Sequence, residues 1–215
     1  MRVPLDQTFI VIGIDQSLTG TGLAVVKATF PNLEVVETQI VSSKLSGIPR
    51  LEEILLSIKN IVVKHGPSVI AMEDYTRMAN SASLSALIEL ASCIKLELSR
   101  LGLEPIIQNQ SSMKKFAFGE GNTKKDSAYM LKVFDVTGRR FDDDNAADAY
   151  LHAWFLATKI WFLRGQIKLT DIPMKQRDTL MSMAQKVSKK TDAVFRKSTD
   201  AEKLTWFREA CHVSF

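Results

Sequence analysis

Residues 9–15 read FIVIGID. Six positions in a row carry no polar side chain, and Ile10, Val11, Ile12 and Ile14 are β-branched. A strand with one wet face alternates apolar with polar residues, and this run does not. Both of its faces must therefore be covered, which suits a central strand in a sheet with layers on either side. The run ends on one carboxylate, Asp15, followed by small and hydroxyl residues and a second apolar run, "LAVV". Such a lone acid has two chemical uses: it can hold a metal against a nucleic-acid phosphate, or open a loop that holds nucleotide phosphates. A third reading is structural, with Asp15 satisfied by the Ser17 or Thr19 amides of a turn.

The elements that follow place that strand. Gly20 and Gly22 read as bracketing a turn, Leu23–Val26 as a returning strand, and Leu33–Val41 as a third. Short connections this early predict an antiparallel meander. The period then changes. Ile48, Leu51, Ile54, Leu55, Ile58, Ile61 and Val62 fall on one helical face. Pro49 suits the first turn, Glu52 and Glu53 the N-terminal dipole, and Gly66-Pro67 the stop. Val69–Met72 is a short buried strand running into Glu73. Leu84 to Leu101 marks a second helix, stopped by Gly102. Pro105–Ile107 is a short strand, and Ser112 and Thr123 are candidate N-caps of two shorter helices. A helix over Asp143–Leu163 closes the unit. Helix-linked strands are expected to be parallel, joined by right-handed crossovers. The fold class is thus α/β: a mixed five-stranded sheet, three strands antiparallel and then parallel ones, flanked by helices. The expected division is a domain over 1–165 and a basic helical extension over 166–215.

Composition narrows the class. The net charge of +4 leans toward an anionic partner. The two cysteines, Cys93 and Cys211, have no ligand-like spacing. They point to a reducing, cytoplasmic compartment without disulfides or structural zinc. The N-terminal residues have no apolar signal core. The run "AYLHAWFLATKIWFL" carries His152 and Lys159 and is too short and polar for a membrane span, so it reads as a buried helix.

The acids converge on paper. Asp15 ends the first strand and Glu73 the fourth. If both strands are central and parallel, both acids lie at the sheet edge where open α/β sheets bind ligands. In "FDDDNAADAYLHA", Asp144 and Asn145 lie four and three residues before Asp148, on its helical face. Asp142 and Asp143 read as helix-dipole residues, and Asp74 points to the other face of its strand. Carboxylates leading an apolar stripe are costly to bury without a cation between them. Mg²⁺ or Mn²⁺ fits, and two ions about 4 Å apart would activate water and neutralise the leaving oxygen of a phosphodiester. The segment "SSMKKFAFGEGNTKK" offers Lys114, Lys115, Lys124 and Lys125 for phosphate, and Gly119 and Gly121 for close backbone approach. A solvated basic turn is the plainer alternative.

Together, "IGIDQSLTGTGLAVV", "VIAMEDY", "FAFGEGNTKKDSAYML" and "DNAADAYLHA" resemble the RuvC family of Holliday-junction resolvases, in the RNase H-like superfamily. The resemblance covers residues 9 to about 163. It implies a homodimeric, Mg²⁺-dependent endonuclease that resolves four-way and other branched DNA by paired nicks. It implies no small-molecule cofactor and no membrane partner, and it suits a bacterial or phage-infected cell. Asp15, Glu73 and Asp148 match the family's catalytic carboxylates. The fourth family position, Asp or His elsewhere, is Asn145 here. Either Asn145 serves as a neutral ligand, or Asp144 takes over, and Asp144 is the favoured candidate. Lys114 and Lys125 match lysines near the scissile phosphate. Tyr75 is the nearest candidate for the aromatic wedge that unstacks bases, one position out of register.

The opening motif is also similar to the first phosphate loop of sugar-kinase, actin and Hsp70-type ATPases. Those need a second domain, for which about 50 residues after the last helix are too few. No GxxxxGK[ST] loop is present either. An inactive DNA-binding module is a third possibility, opposed by the retained acids. In the basic tail, Lys186, Lys189, Lys190, Arg196 and Lys197 could contact DNA arms. Equally, the apolar stripe of the tail could pack on the core while the lysines are solvated. His65, His152 and His212 read as structural or surface residues.

Overall fold

The computed structural model describes residues 8–74 and 81–189, apart from the side chains of residues 81–83, 169 and 182–189. Strands β1 (Phe9–Asp15), β2 (Thr21–Thr29) and β3 (Asn32–Val41) come first, then helix α1 (Gly47–His65), β4 (Val69–Glu73), α2 (Ser81–Arg100) and β5 (Ile106–Gln108). Helices α3 (Gln110–Phe118), α4 (Tyr129–Thr137), α5 (Asp144–Leu163) and α6 (Met174–Lys189) follow. The sheet order is β3-β2-β1-β4-β5. β1, β2 and β3 pair antiparallel, whereas β1 pairs with β4, and β4 with β5, in parallel. The expected mixed sheet is therefore present, with the apolar strand β1 at its centre.

Strand parity decides which way each side chain faces. On β1, Phe9 and Val11 enter one core cluster with α5, while Ile12 and Ile14 enter the other with α1 and α2. On β4, Val69 and Ala71 share the α5 side, and Ile70 and Met72 the other. Continuing the alternation puts Asp15 and Glu73 on the α5 face, at the ends of neighbouring parallel strands.

Helix α5 lies on β1 and β2 almost backbone to backbone. A Cβ on Gly13 would sit 1.8 Å from the Ala149 carbonyl oxygen, and one on Gly22 would sit 2.1 Å from that of Asn145. This corrects the reading of Gly22 as a turn residue. Gly22 is inside β2, paired with Asp15, and its missing side chain is the space the helix fills. The bend before it is held instead by Thr21, whose hydroxyl donates to the Ser17 carbonyl at 2.6 Å and accepts from the Ser17 amide at 3.2 Å.

Other local expectations shift too. Ile48 is exposed, because α1 begins at Gly47 and its buried stripe starts one turn later at Leu51. For the same reason Glu52 and Glu53 fall beyond the first turn. Asn109, not Ser112, caps α3, and its side chain accepts from the Ser112 amide. Thr123 caps no helix: its hydroxyl donates to the Glu120 carbonyl, and α4 begins only at Tyr129. Gly66 ends α1 in the left-handed conformation, as expected.

The chain after α5 packs back on the helical layer. Ile172 and Leu180 belong to the same cluster as Met113, Phe116 and Val133. The basic positions Lys190, Arg196 and Lys197, and the side chains of Lys186 and Lys189, lie outside the described residues. Among the described residues, no helix is long and apolar enough to cross a membrane.

Candidate active site

Three acids from three elements meet at the C-terminal edge of the sheet. Asp15, Glu73 and Asp148 are 5%, 4% and 0% exposed. α5 brings the third acid because its first turn is fixed. Asp143 is the N-cap, and its carboxylate accepts from the Asn145 amide at 2.7 Å and the Ala146 amide at 3.4 Å. The cap leaves Asp144, Asn145 and Asp148 on one face, above β1.

The Lys125 ammonium sits among them. Its Nζ lies 3.0 Å from Asp148 Oδ2, 3.3 Å from Asp144 Oδ2 and 3.6 Å from Asp15 Oδ2. It also donates to Asn145 Oδ1 at 3.0 Å. Lys125 therefore gathers both candidates for the fourth position. The Asp15 turn reading fails: the Ser17 and Thr19 amides are taken by the Thr21 and Ser17 hydroxyls.

The electrostatics follow from crowding. Burial, a hydrogen bond with Glu73 and the nearby Glu73 and Asp148 charges hold the Asp15 carboxyl well above the ordinary range. Burial and the Asp148 charge also raise Glu73, although the Asp15 hydrogen bond and the lysines pull it back. Crowding thus opposes negative charge on both Asp15 and Glu73. Burial opposes charge on Lys125, but the surrounding Asp148 and Asp15 charges outweigh it and hold the ammonium protonated.

A residue that sequence reasoning missed completes the cluster. The Tyr129 hydroxyl donates to Asp148 Oδ1. Its ring packs edge-on to Phe118, with centroids 5.7 Å apart, and lies 5.5 Å from the Lys114 ammonium. Its signal was available: Tyr129 and Val133 form the buried face of α4, and a buried tyrosine needs a partner for its hydroxyl.

The basic segment divides into distinct roles. Lys114 is buried, and its ammonium donates to the Thr123 carbonyl at 2.9 Å, bracing the loop that carries Lys125. Lys115 and Lys124 are exposed. Gly119 ends α3 at φ 85°, under the Lys175 side chain, and a Cβ on Gly121 would sit 2.9 Å from the Ser111 carbonyl oxygen. Both glycines thus have packing reasons to be glycine. Behind the acids, His152 Nδ1 pairs with Gln108 Oε1 at 3.1 Å. His65 pairs with Glu37 at 2.6 Å. Tyr75 and His212 lie outside the described residues.

The donor set suits a hard divalent ion. Its oxygens come from carboxylates and an amide, and Asp148 Oδ2 has no hydrogen-bond partner. Among the described residues, no three acidic, imidazole or thiol groups form a ready cage. The place between the acids is held by Lys125, a cation standing where an ion's charge would be.

The profile of the family "Crossover junction endodeoxyribonuclease RuvC" matches residues 11–153, from β1 into α5. This chain belongs to the RuvC family. The matched span holds Asp15, Glu73, Lys114, Lys125, Tyr129 and Asp148, while α6 lies beyond it. The RuvC of Paenarthrobacter aurescens is 26% identical over 174 residues, covering 76% of this chain and 90% of that protein. The RuvC of Orientia tsutsugamushi (strain Boryong) is 26% identical over 118 residues, covering 54% of this chain and 74% of that protein. Two Thermus thermophilus RuvC structures, one in complex with a Holliday junction substrate, superpose with TM-scores of 0.60 and 0.58 at 19% identity. They cover 74% and 73% of this chain and 96% of each of those chains, and establish the RuvC fold.

Proposed function

We propose that this chain is a metal-dependent, structure-specific endonuclease that nicks branched DNA, four-way junctions foremost. The observation that carries the reading is that buried Asp15 and Asp148, with Asp144, converge on the Lys125 ammonium while buried Glu73 hydrogen-bonds Asp15, at the edge where two parallel strands end. Asp15, Glu73 and Asp148 would hold Mg²⁺ or Mn²⁺, with Asp144 favoured over Asn145 as the fourth ligand. Two such ions supply an activated water and positive charge at the leaving oxygen of a phosphodiester.

The protein's own groups do the rest. The acids stay clustered because strand parity and the glycine contacts of α5 leave them nowhere else to point. Lys125 brings a mobile positive charge to the scissile phosphate once it leaves the carboxylates. Lys114 fixes the base of its loop. Exposed Lys115 and Lys124 suit DNA backbone phosphates on either side, which position without reading sequence. Two copies in a homodimer would place two such sites on a two-fold-symmetric junction and give paired nicks.

An inactive module would have no need to keep three acids buried at one sheet edge.

The test is cleavage of a four-way junction in Mg²⁺ or Mn²⁺, beside linear duplex, with Asp15→Asn and Asp148→Asn as controls. Metal-dependent nicking of the junction that both substitutions abolish is the expected result. Nicking that survives both, or ATP turnover without DNA, would overturn the assignment.

A further inference from the structure

The two oxygens of Asp148 have different neighbours. Oδ1 accepts from the Tyr129 hydroxyl. Oδ2 has no hydrogen bond and faces the Lys125 ammonium at 3.0 Å. Asp148 is fully buried, so water cannot hold the carboxylate in place. The terminal torsion of an aspartate is broad and two-fold. Left alone, this carboxylate could present either oxygen, or both, to a cation.

We propose that Tyr129 is a positioning residue for the metal site: its hydroxyl holds one oxygen of Asp148 so that the other alone is presented to the ion. The inference rests on the metal reading above and adds a residue to it. Tyr129 is built for the task. It is 1% exposed, begins α4, and its ring is clamped between Phe118 and the Lys114 ammonium. The hydroxyl cannot follow the carboxylate if it turns; the carboxylate must stay with the hydroxyl. Asp15 and Glu73 lean on each other, so Asp148 is the acid whose orientation is set from outside the cluster. Its phenol stays protonated, and therefore a donor, because burial and the Asp148 charge both oppose ionisation. Groups that orient metal ligands in this way are typically worth about 10–100-fold in metal affinity.

The test is Mn²⁺ binding to the full chain, followed by electron paramagnetic resonance, in wild type, Tyr129→Phe, Phe118→Leu and Asp148→Asn. Tyr129→Phe keeps the ring and removes only the oxygen. It should bind Mn²⁺ about 10–100-fold more weakly while keeping a cooperative unfolding transition. Phe118→Leu loosens the packing of the ring but keeps the hydroxyl, and should lose less affinity than Tyr129→Phe does. Wild-type affinity in Tyr129→Phe would overturn the inference alone. So would an equal loss in Phe118→Leu, since packing rather than the hydroxyl would then be responsible. Wild-type binding that is absent, or indifferent to Asp148→Asn, would overturn the metal site and this inference with it.

Discussion

Lys125 Nζ lies 3.0 Å from Asp148 Oδ2, an oxygen that no hydrogen bond reaches. The pair shows how Lys125 offsets the charge of a buried acid in this site. Taking a carboxylate out of water is costly unless a positive charge accompanies it. Lys125 supplies that charge from a loop, and a loop can withdraw it.

Removing that charge should therefore expose the metal dependence of the fold. In Lys125→Met without metal, the acids face one another unscreened, and stability should fall by about 1–3 kcal/mol, or several degrees in melting temperature. Mg²⁺ should then raise the melting temperature more in the variant than in wild type. Thermal unfolding in EDTA and in excess Mg²⁺ measures both. Equal Mg²⁺ shifts in the two proteins would show that Lys125 is not the ion's stand-in.

Asp144 and Asn145 both reach Lys125, at 3.3 and 3.0 Å. Only Asp144 carries the negative charge that a hard divalent ion prefers. Asp144→Asn should lower the cleavage rate by about 100-fold, and Asn145→Ala by less than about 10-fold. Single-turnover junction cleavage at saturating Mg²⁺ ranks them. The reverse order would assign the fourth position to Asn145.

The glycine contacts predict stability effects away from the chemistry. In Gly13→Ala the new methyl would lie 1.8 Å from the Ala149 carbonyl oxygen, and in Gly22→Ala 2.1 Å from that of Asn145. Backbone cannot yield as a side-chain tip can, so each should destabilise by about 3 kcal/mol or more. Gly138→Ala, with open space but φ 66°, should cost less, about 1 kcal/mol. Urea unfolding compares the three directly.

His152 gives the fold an acid-sensitive group. Burial, followed by the charges of Lys159, Lys114 and Lys125, lowers its pKa from 6.5 to about 3. The folded value lies below the unfolded one, so neutral His152 contributes stability that is fully present above about pH 6.5. That contribution is lost as pH falls toward about 3, with a slope near 1.4 kcal/mol per pH unit. His152→Gln removes the titrating ring. Its unfolding free energy should depend less steeply on pH across that window than that of wild type. Parallel curves would contradict the assignment.

The sheet and the acids were legible because their signals are periodic. The unbroken apolar run of β1 could only be central, and strand alternation then aimed Asp15 and Glu73 the same way. The spacing of Asp144 and Asn145 from Asp148 set the helical face. What stayed hidden lies in contacts between distant segments. Nothing local tells that Gly22 is small for the sake of Asn145. Nothing local tells that Lys114 bonds the Thr123 carbonyl, or that Tyr129 meets Asp148. Ser112 and Thr123 looked like caps because a hydroxyl before a helix is a common signal. Asn109, three residues before Ser112, holds the α3 cap instead.

The most direct measurement is anomalous diffraction from crystals of this protein soaked in Mn²⁺. The account predicts Mn²⁺ density among Asp15, Glu73 and Asp148, with the Lys125 ammonium displaced from Asp148 Oδ2. Lys125 still seated among the carboxylates at saturating Mn²⁺, with no metal density between them, would contradict it.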